Sequence, residues 1–350
     1  MSLGANKQAL MGAAGGVAAD VVIYDYQIAN SARFDGTSSY LYKTWGTAPT
    51  STTKKTISVW IKRSLVDNST AQRIITSIGN TGTYYFSDTV TDNIAYYSGG
   101  GGVNGYMTTR VFRDPSAWFH FVAIYDSGEA SGEDRIKFYI NGELFALDNG
   151  AWTFNAGYPN TSVPTIGKDG VQNLIGAYGG GGSLFNGYMA DFVQIDGTAA
   201  ISDFGETTNG VWVPKDPSGL TFGTNGFWLK FTNSSDFGED FSGNNNDWTA
   251  TGFATSDQML DSPTFNSDSN GGNFATLGPL WNTPNMTFSE GNLKWATSTN
   301  QRGIMSNWSV PLEGKFYWEY IPTGWGGSAG DDMWCGVNQA TVDFTGSRGG

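Results

Sequence analysis

The single histidine of this 350-residue chain, His120, lies in the stretch WFHFVAIYDSGEASGEDRIKFYINGELF, residues 118–145. Imidazole is the most frequent general base near neutral pH. Here it falls in a run where Trp118, His120, Val122 and Ile124 alternate with Phe119, Phe121, Ala123 and Tyr125. That is a strand with two bulky faces, covered on both sides. A nucleophilic triad needs a serine and an acid beside the imidazole in space, which spacing along a chain does not supply. The pattern is that of a packed sheet residue. Glycoside hydrolysis uses two carboxylates, which share a face when they stand at alternate positions of one strand. None of the 32 acids has another acid two residues away. Asp191 occupies a suitable strand, but Val193 and Ile195 stand two and four residues on. Residues 100–105 fit G-x-G-x-x-G, yet the YMTTRVF that follows reads as strand, not as the helix a pyrophosphate needs. No catalytic residue is expected.

The elements that would position any site are short strands. The chain carries 49 glycines, 22 Phe, 16 Tyr and 13 Trp, and no segment holds a sustained 3.6-residue apolar period. TISVWIKRS (56–64) sets Ile57, Val59 and Ile61 against Ser58, Trp60 and Lys62, the signature of a half-buried antiparallel strand. Asp35-Gly36, Asn141-Gly142 and Asp196-Gly197 mark turns, the second a strong two-residue hairpin signal. GGGG followed by NGYM occurs twice, at 99–107 and 179–189, as two similar loop-to-strand approaches. The net charge of −13 disfavours nucleic acid and anionic membrane as partners, and no apolar run approaches a membrane span. One cysteine, Cys335, excludes an internal disulfide framework. The fold class is all-β, with stacked antiparallel sheets, a boundary near residue 200 and an extended N-terminal arm (1–27) too poor in apolar mass to fold alone.

TISVWIKRS, WFHFVAIYD, RIKFYINGEL, TIGKDG and FNGYMADFVQIDG occur in the order typical of LamG-type concanavalin A-like jelly rolls, and residues 28–200 resemble that family. The resemblance implies a jelly-roll sandwich over 28–200, with 201–272 as a bridging β segment available to complete it. GEDFSGNNNDWTATGF (238–253) resembles a turn that often opens such domains. EGKFYWEYIP and DDMWCGVNQ resemble the start of a SPRY-type β-sandwich, giving a second, incomplete sandwich over 273–350. The arm LGANKQAL, SARFDG, SDFGETTNGVWVPK and GTNGFWLKF resemble bacteriophage virion proteins of tail-fibre character.

That resemblance implies a virion structural protein, assembled in the host cytoplasm. It would dock on other tail or capsid proteins through residues 1–27 and present its sandwiches to a host-surface glycan. A homo-oligomer is implied, a trimer being the common state of that class, and several copies multiply weak contacts by roughly 10²–10⁴. Two other readings use the same folds: a purely architectural spacer of the particle, and a carbohydrate-active hydrolase. Sugars are held by aromatic faces with amide and carboxylate hydrogen bonds. Trp45, Tyr84, Tyr85, Tyr96, Tyr97, Trp152 and Tyr158, in or near predicted loops, are the candidate binding residues. No cofactor is required. Calcium, held by such domains at a loop rim, is the one candidate, with Asp240, Asn244, Asn246 and Asp247 as oxygen ligands and Asp126, Glu129, Glu133 and Asp134 as a second set.

Overall fold

A computed structural model describes residues 24–66, 70–78, 82–87, 92–98, 104–131, 134–145, 147–148, 165–265, 271–282, 285–297, 303–309 and 317–322. Two eight-stranded antiparallel sheets face each other. The first contains β1 (Ser31–Asp35), β3 (Lys54–Arg63), β8 (Phe119–Asp126), β9 (Ile136–Ile140), β10 (Glu143–Phe145), β13 (Asn186–Ile195), β16 (Phe227–Leu229) and β18 (Gln258–Met259). Its order is β10-β9-β8-β3-β13-β1-β18, with β16 paired to β13. The second runs β11 (Leu147–Asp148), β7 (Asn104–Val111), β6 (Asn93–Ser98), β5 (Thr83–Phe86), β4 (Gln72–Ser77), β12 (Gln172–Ile175), β2 (Tyr40–Thr44) and β17 (Thr249–Thr251). Outside the sandwich lie a hairpin, β14 (Gly205–Thr208) with β15 (Val211–Pro214), and two further two-stranded sheets. One of these pairs β19 (Leu277–Asn282) with β22 (Ile304–Ser306), the other β20 (Met286–Ser289) with β21 (Lys294–Thr297).

The core follows from period-two alternation. Ile57, Val59 and Ile61 of β3 and Phe121, Ala123 and Tyr125 of β8 meet Ile75, Tyr84, Phe86, Ile94 and Tyr96 of the second sheet. The chain beyond residue 200 joins the same body. Phe227 and Leu229 of β16, then Phe231, Phe237 and Trp248, enter this core, while β17 pairs with β2 and β18 with β1. The predicted hairpin at Asn141-Gly142 joins β9 to β10, with φ of 49° and 81°. A Cβ on Gly142 would stand 2.3 Å from the Trp212 ring, so only glycine lets that indole lie on the turn.

One sequence expectation needs correction. The alternation in β3 predicts a half-buried strand, yet Ser58, Trp60 and Lys62 are as buried as Ile57, Val59 and Ile61. Segments from before β1 and from beyond β13 cover the outer face. Ile28, Trp118, Tyr188 and Ala190 pack around Trp60, and Phe204, Phe222 and Trp228 pack on Val122, Val193 and Ile195. Alternation reports side-chain polarity, and a buried polar residue is tolerated when its hydrogen bonds are met. The three protons of the Lys62 ammonium go to Asp261 Oδ2 (2.8 Å), Asn273 Oδ1 (2.8 Å) and the Phe274 carbonyl (2.7 Å).

The arm predicted for 1–27 lies almost wholly outside the described residues. Residues 24–30 follow the outer face of the first sheet, with Ile28 N donating to Thr264 Oγ1 (2.9 Å). Of the second sandwich predicted from residue 273, the described part consists of the β19–β22 and β20–β21 pairs and an exposed stretch at 317–322. No helix among the described residues is long and apolar enough to cross a membrane.

At the end of β3, buried Arg63 donates to Asp92 Oδ1 (2.7 Å) and to the Phe112 carbonyl (2.7 Å), with its guanidinium 4.1 Å from the Phe86 ring centre. Asp92→Asn keeps the side-chain shape and suits the left-handed backbone there (φ 69°), but leaves a buried cation without its counter-charge. The expected cost is about 3–5 kcal/mol, read as a lowered urea midpoint.

Candidate functional site

His120 is fixed from both sides. Trp212 Nε1–H donates to Nδ1 at 3.0 Å, so Nδ1 is unprotonated and Nε2 carries the hydrogen, which it gives to Ser58 Oγ at 2.7 Å. The ring stacks on Trp60 at 4.7 Å. Burial pushes its pKa down from 6.5 to about 3. This imidazole is neutral cement between the sheet and its covering layer.

Asp191 is the other buried titratable side chain that sequence singles out. Pairing between β13 and β3 slips between Ala190 and Val193, and Asp191 takes φ 49° in the resulting bulge. Its Oδ1 accepts from Trp228 Nε1 (2.5 Å) and Tyr26 OH (3.1 Å) beneath the covering layer. Burial raises its pKa from 3.8 to about 6, against the lowering effect of those hydrogen bonds and of Lys230. A cavity of about 370 Å³ opens elsewhere, lined by Val111, Arg113, Asp114, Pro115, Ser116, Leu280 and Asn307, and neither Asp191 nor His120 lines it.

The predicted aromatic set divides by strand parity. Trp45, Tyr84 and Tyr96 point between the sheets, each 2% exposed, so these three candidates fill the core, and Tyr84 and Tyr96 lie within strands and not in the predicted loops. Trp45 is held there by Asn173 Oδ1, which accepts from its Nε1 at 2.6 Å. Tyr85 and Tyr97, one residue along from those core tyrosines, turn to the opposite, outer face of the second sheet, where Tyr85 is buried with Ala71, Ala95 and Met107 and Tyr97 is half-buried against them. Trp152 and Tyr158 lie outside the described residues.

On that outer face the structure assembles residues that sequence reasoning missed. Tyr40 and Tyr42 flank the inward Leu41, with their ring centres 6.3 Å apart and both rings half-buried. Register carries the face across the sheet. Tyr42 pairs with Leu174, Leu174 with Thr76, Thr76 with Thr83, and Thr83 with Tyr97, four interstrand steps spanning roughly 19 Å. Beside this row the guanidinium of Arg73 lies 4.4 Å from the Tyr85 ring centre and 5.1 Å from that of Tyr178. Tyr178 is set by the tetraglycine loop. Its N–H and C=O bond the carbonyl and N–H of Gly182, both at 2.7 Å, across three glycines with φ of 35°, 78° and 100°. The signal for Tyr40 and Tyr42 was their spacing of two around an apolar residue. Arg73 carried no signal, because its neighbours come from β5 and the tetraglycine loop.

A family model described as the concanavalin A-like lectin/glucanases superfamily, of laminin G type, matches residues 35–198. Residues 35–198 are a concanavalin A-like domain. No curated protein matches the chain. Among solved structures, a candidate carbohydrate-binding protein from Bacteroides ovatus is similar at 16% identity, covering 65% of this chain and 61% of that one, with a TM-score of 0.45. The fourth domain of a GH43 extracellular arabinanase from Geobacillus stearothermophilus, in complex with arabinotriose, is 17% identical over 51% of this chain and 76% of that one (TM-score 0.37). A heptameric pentraxin from Limulus polyphemus is 14% identical over 50% and 80% (TM-score 0.36). The chain thus spans about three-fifths of the Bacteroides protein.

The predicted calcium ligands adjoin the concanavalin A-like domain as a hydrogen-bonded turn. Asp240 accepts from Trp228 N, Ser242 N, Ser242 Oγ and Asn246 N at 2.8–2.9 Å, and Asp247 Oδ1 accepts from Asp240 N. The amides of Asn244 and Asn246 donate to carbonyls of residues 223–226. In the second set, Asp126 pairs with Lys54 at 2.8 Å, and Glu133 lies outside the described residues. Among the described residues no group of three or more His, Cys, Asp or Glu is arranged to hold a metal.

His120 and Asp191 bias the domain's stability with opposite sign. The folded state refuses a proton at His120 that the unfolded chain binds below pH 6.5, so that contribution is lost as pH falls towards 3. The folded state keeps a proton on Asp191 that the unfolded chain has released above 3.8, so that contribution is lost as pH rises towards 6. Between about pH 4 and 6 the two slopes oppose, each about 1.4 kcal/mol per pH unit at most. Relative to wild type, His120→Gln is expected to lose stability as pH rises through this window and Asp191→Asn to gain it, measured by urea midpoints at pH 4, 5 and 6.

Proposed function

We propose that this chain is a non-catalytic carbohydrate-binding protein that uses the outer face of its second sheet. One observation carries this reading: Tyr40, Tyr42 and Tyr97 stand half-buried on one sheet face, with half-buried Tyr178 beside them on the tetraglycine loop. A half-buried tyrosine offers an apolar face for a pyranose ring and a hydroxyl for its rim, and strands hold such rings at fixed spacing. The concanavalin A-like lectin architecture supports it, as does the seating of both singled-out titratable groups, His120 and Asp191, under a packed layer.

The setting we propose is a bacteriophage virion, of tail-fibre or tail-associated character. Residues 1–27 dock on other virion proteins and the sheet face meets a host-surface glycan. The sequence resemblance of the arm and of SARFDG and GTNGFWLKF supports that setting. Copies assembled as a homo-oligomer, a trimer in this reading, turn weak single sites into useful avidity.

The full chain is tested on a glycan array and then by calorimetry with the polysaccharide that scores. Tyr40→Ala combined with Tyr42→Ala is expected to weaken binding about tenfold or more while the thermal midpoint stays within a few degrees. A chain that binds no glycan on the array is a spacer. Deleting residues 2–19 is expected to prevent incorporation into particles, and unchanged incorporation removes the docking role.

A further inference from the structure

The outer face of the second sheet is not open throughout. Leu174 on β12, Thr76 on β4, Thr83 and Tyr85 on β5 and Ala95 on β6 are buried, which closes its middle, and Asp148 lies on the far strand β11. The open ground is the opposite edge. Register sets Thr249 beside Tyr42 and Thr251 beside Tyr40, so these four side chains share a strip along β17 and β2 that exposed Thr44 continues. Tyr40, Tyr42 and Thr251 are half-buried and Thr249 is exposed. The strip starts at the tetraglycine loop, where a Cβ on Gly181 would stand 3.6 Å from the Tyr40 ring, and reaches Thr44 roughly 13 Å along β2. A ligand that meets both rings therefore lies lengthwise on β2, and Tyr97 is a separate contact beyond the buried middle.

What the strip offers is ring face and hydroxyl. Tyr26 and Tyr188 spend their hydroxyls inside the protein, on Asp191 Oδ1 (3.1 Å) and the Gly291 carbonyl (2.7 Å). Among the described residues the hydroxyls of Tyr40, Tyr42, Thr249 and Thr251 have no protein hydrogen-bond partner. Each can donate and accept, so together with two ring faces they match the hydroxyl rim and apolar face of a sugar. None of these side chains is charged. Lys43, between Tyr42 and Thr44, turns away, its Nζ donating to the Asp247 carbonyl at 3.0 Å and lying 5.2 Å from the Trp45 ring centre. Arg73 is held between the Tyr85 and Tyr178 rings. Exposed Asp247 stands two residues before β17, in a chain of net charge −13. A polyanion brought here meets repulsion with no cation turned towards it, and a neutral chain meets none.

We infer that the strip along β2 and β17 takes neutral polysaccharide laid lengthwise on β2, its rings on Tyr40 and Tyr42 and its hydroxyls met by those of Tyr40, Tyr42, Thr249 and Thr251. This rests on the carbohydrate-binding reading above and adds the ligand's charge class and the groups that read it. The ring faces supply affinity for any sugar chain; the uncharged hydroxyl lining in an acidic protein makes the strip selective for a neutral one.

The test titrates the full chain with neutral glucan, galactan and mannan, each paired with the same polymer after oxidation of its primary alcohols to carboxylates. At least one neutral polymer is expected to bind about threefold or more tighter than its oxidised partner, with the difference shrinking as salt rises. Tyr42→Phe keeps the ring and removes only the hydroxyl. It is expected to weaken neutral binding about threefold while leaving the thermal midpoint unchanged, because no hydrogen bond within the protein is lost. A second variant, Thr249→Lys, touches neither ring and adds a cation to the strip, and is expected to erase or reverse the preference for the neutral partner. An oxidised polymer bound as tightly as its neutral partner, or neutral binding unchanged in Tyr42→Phe, overturns the inference while leaving carbohydrate binding intact. Absence of binding to every polymer, neutral and oxidised, sinks the carbohydrate reading and this inference together.

Discussion

The fold depends on the burial of β3 from both sides and on the cations that strand carries. Lys55, Lys62 and Arg63 are each nearly inaccessible to water, and a buried charge without a partner costs several kcal/mol. Their partners come from three distant places. Arg63 reaches Asp92 just before β6, Lys55 reaches Asp196 at the end of β13, and Lys62 reaches Asp261 beyond β18. Asp196 also accepts from the backbone of Thr50, Ser51 and Asn225, so one carboxylate gathers three segments. The chain beyond residue 200 supplies the counter-charge for Lys62 and, through Trp212 and Met259, packs against the cluster around Trp60.

That requirement decides where chemistry is possible. The covering layer that satisfies Lys62 also seals the outer face of the first sheet. His120 is shut between Trp60 and Trp212, and Asp191 lies under Tyr26 and Trp228. Two residues of types that elsewhere do acid–base work are structural here, and their perturbed proton affinities are consequences of burial. On the outer face of the second sheet Tyr40, Tyr42 and Tyr97 stay half-buried, and the proposed ligand recognition rests on them.

The tetraglycine loop links backbone geometry to the outer face of the second sheet. Its three left-handed glycines let Tyr178 and Gly182 bond each other, and this tight closure sets Tyr178 beside Arg73. Side chains at these positions would strain the loop and move the tyrosine. The glycines are therefore part of the site through the residue they position.

Much was legible in the residues alone. Alternation around His120 and the Asn141-Gly142 turn determined an all-β sandwich, because side-chain period and turn chemistry are local properties, and the order of five motifs added the resemblance to concanavalin A-like jelly rolls. The inward or outward sense of a tyrosine pair is not local. Tyr84 and Tyr85, or Tyr96 and Tyr97, are interchangeable in sequence, and cross-strand register decides which of each enters the core. Tertiary structure alone also placed Asp261 against Lys62, drew Arg73 between Tyr85 and Tyr178, and buried Asp191. Each of these depends on which distant segments meet, and the free energy that selects such meetings is spread over the whole folded chain.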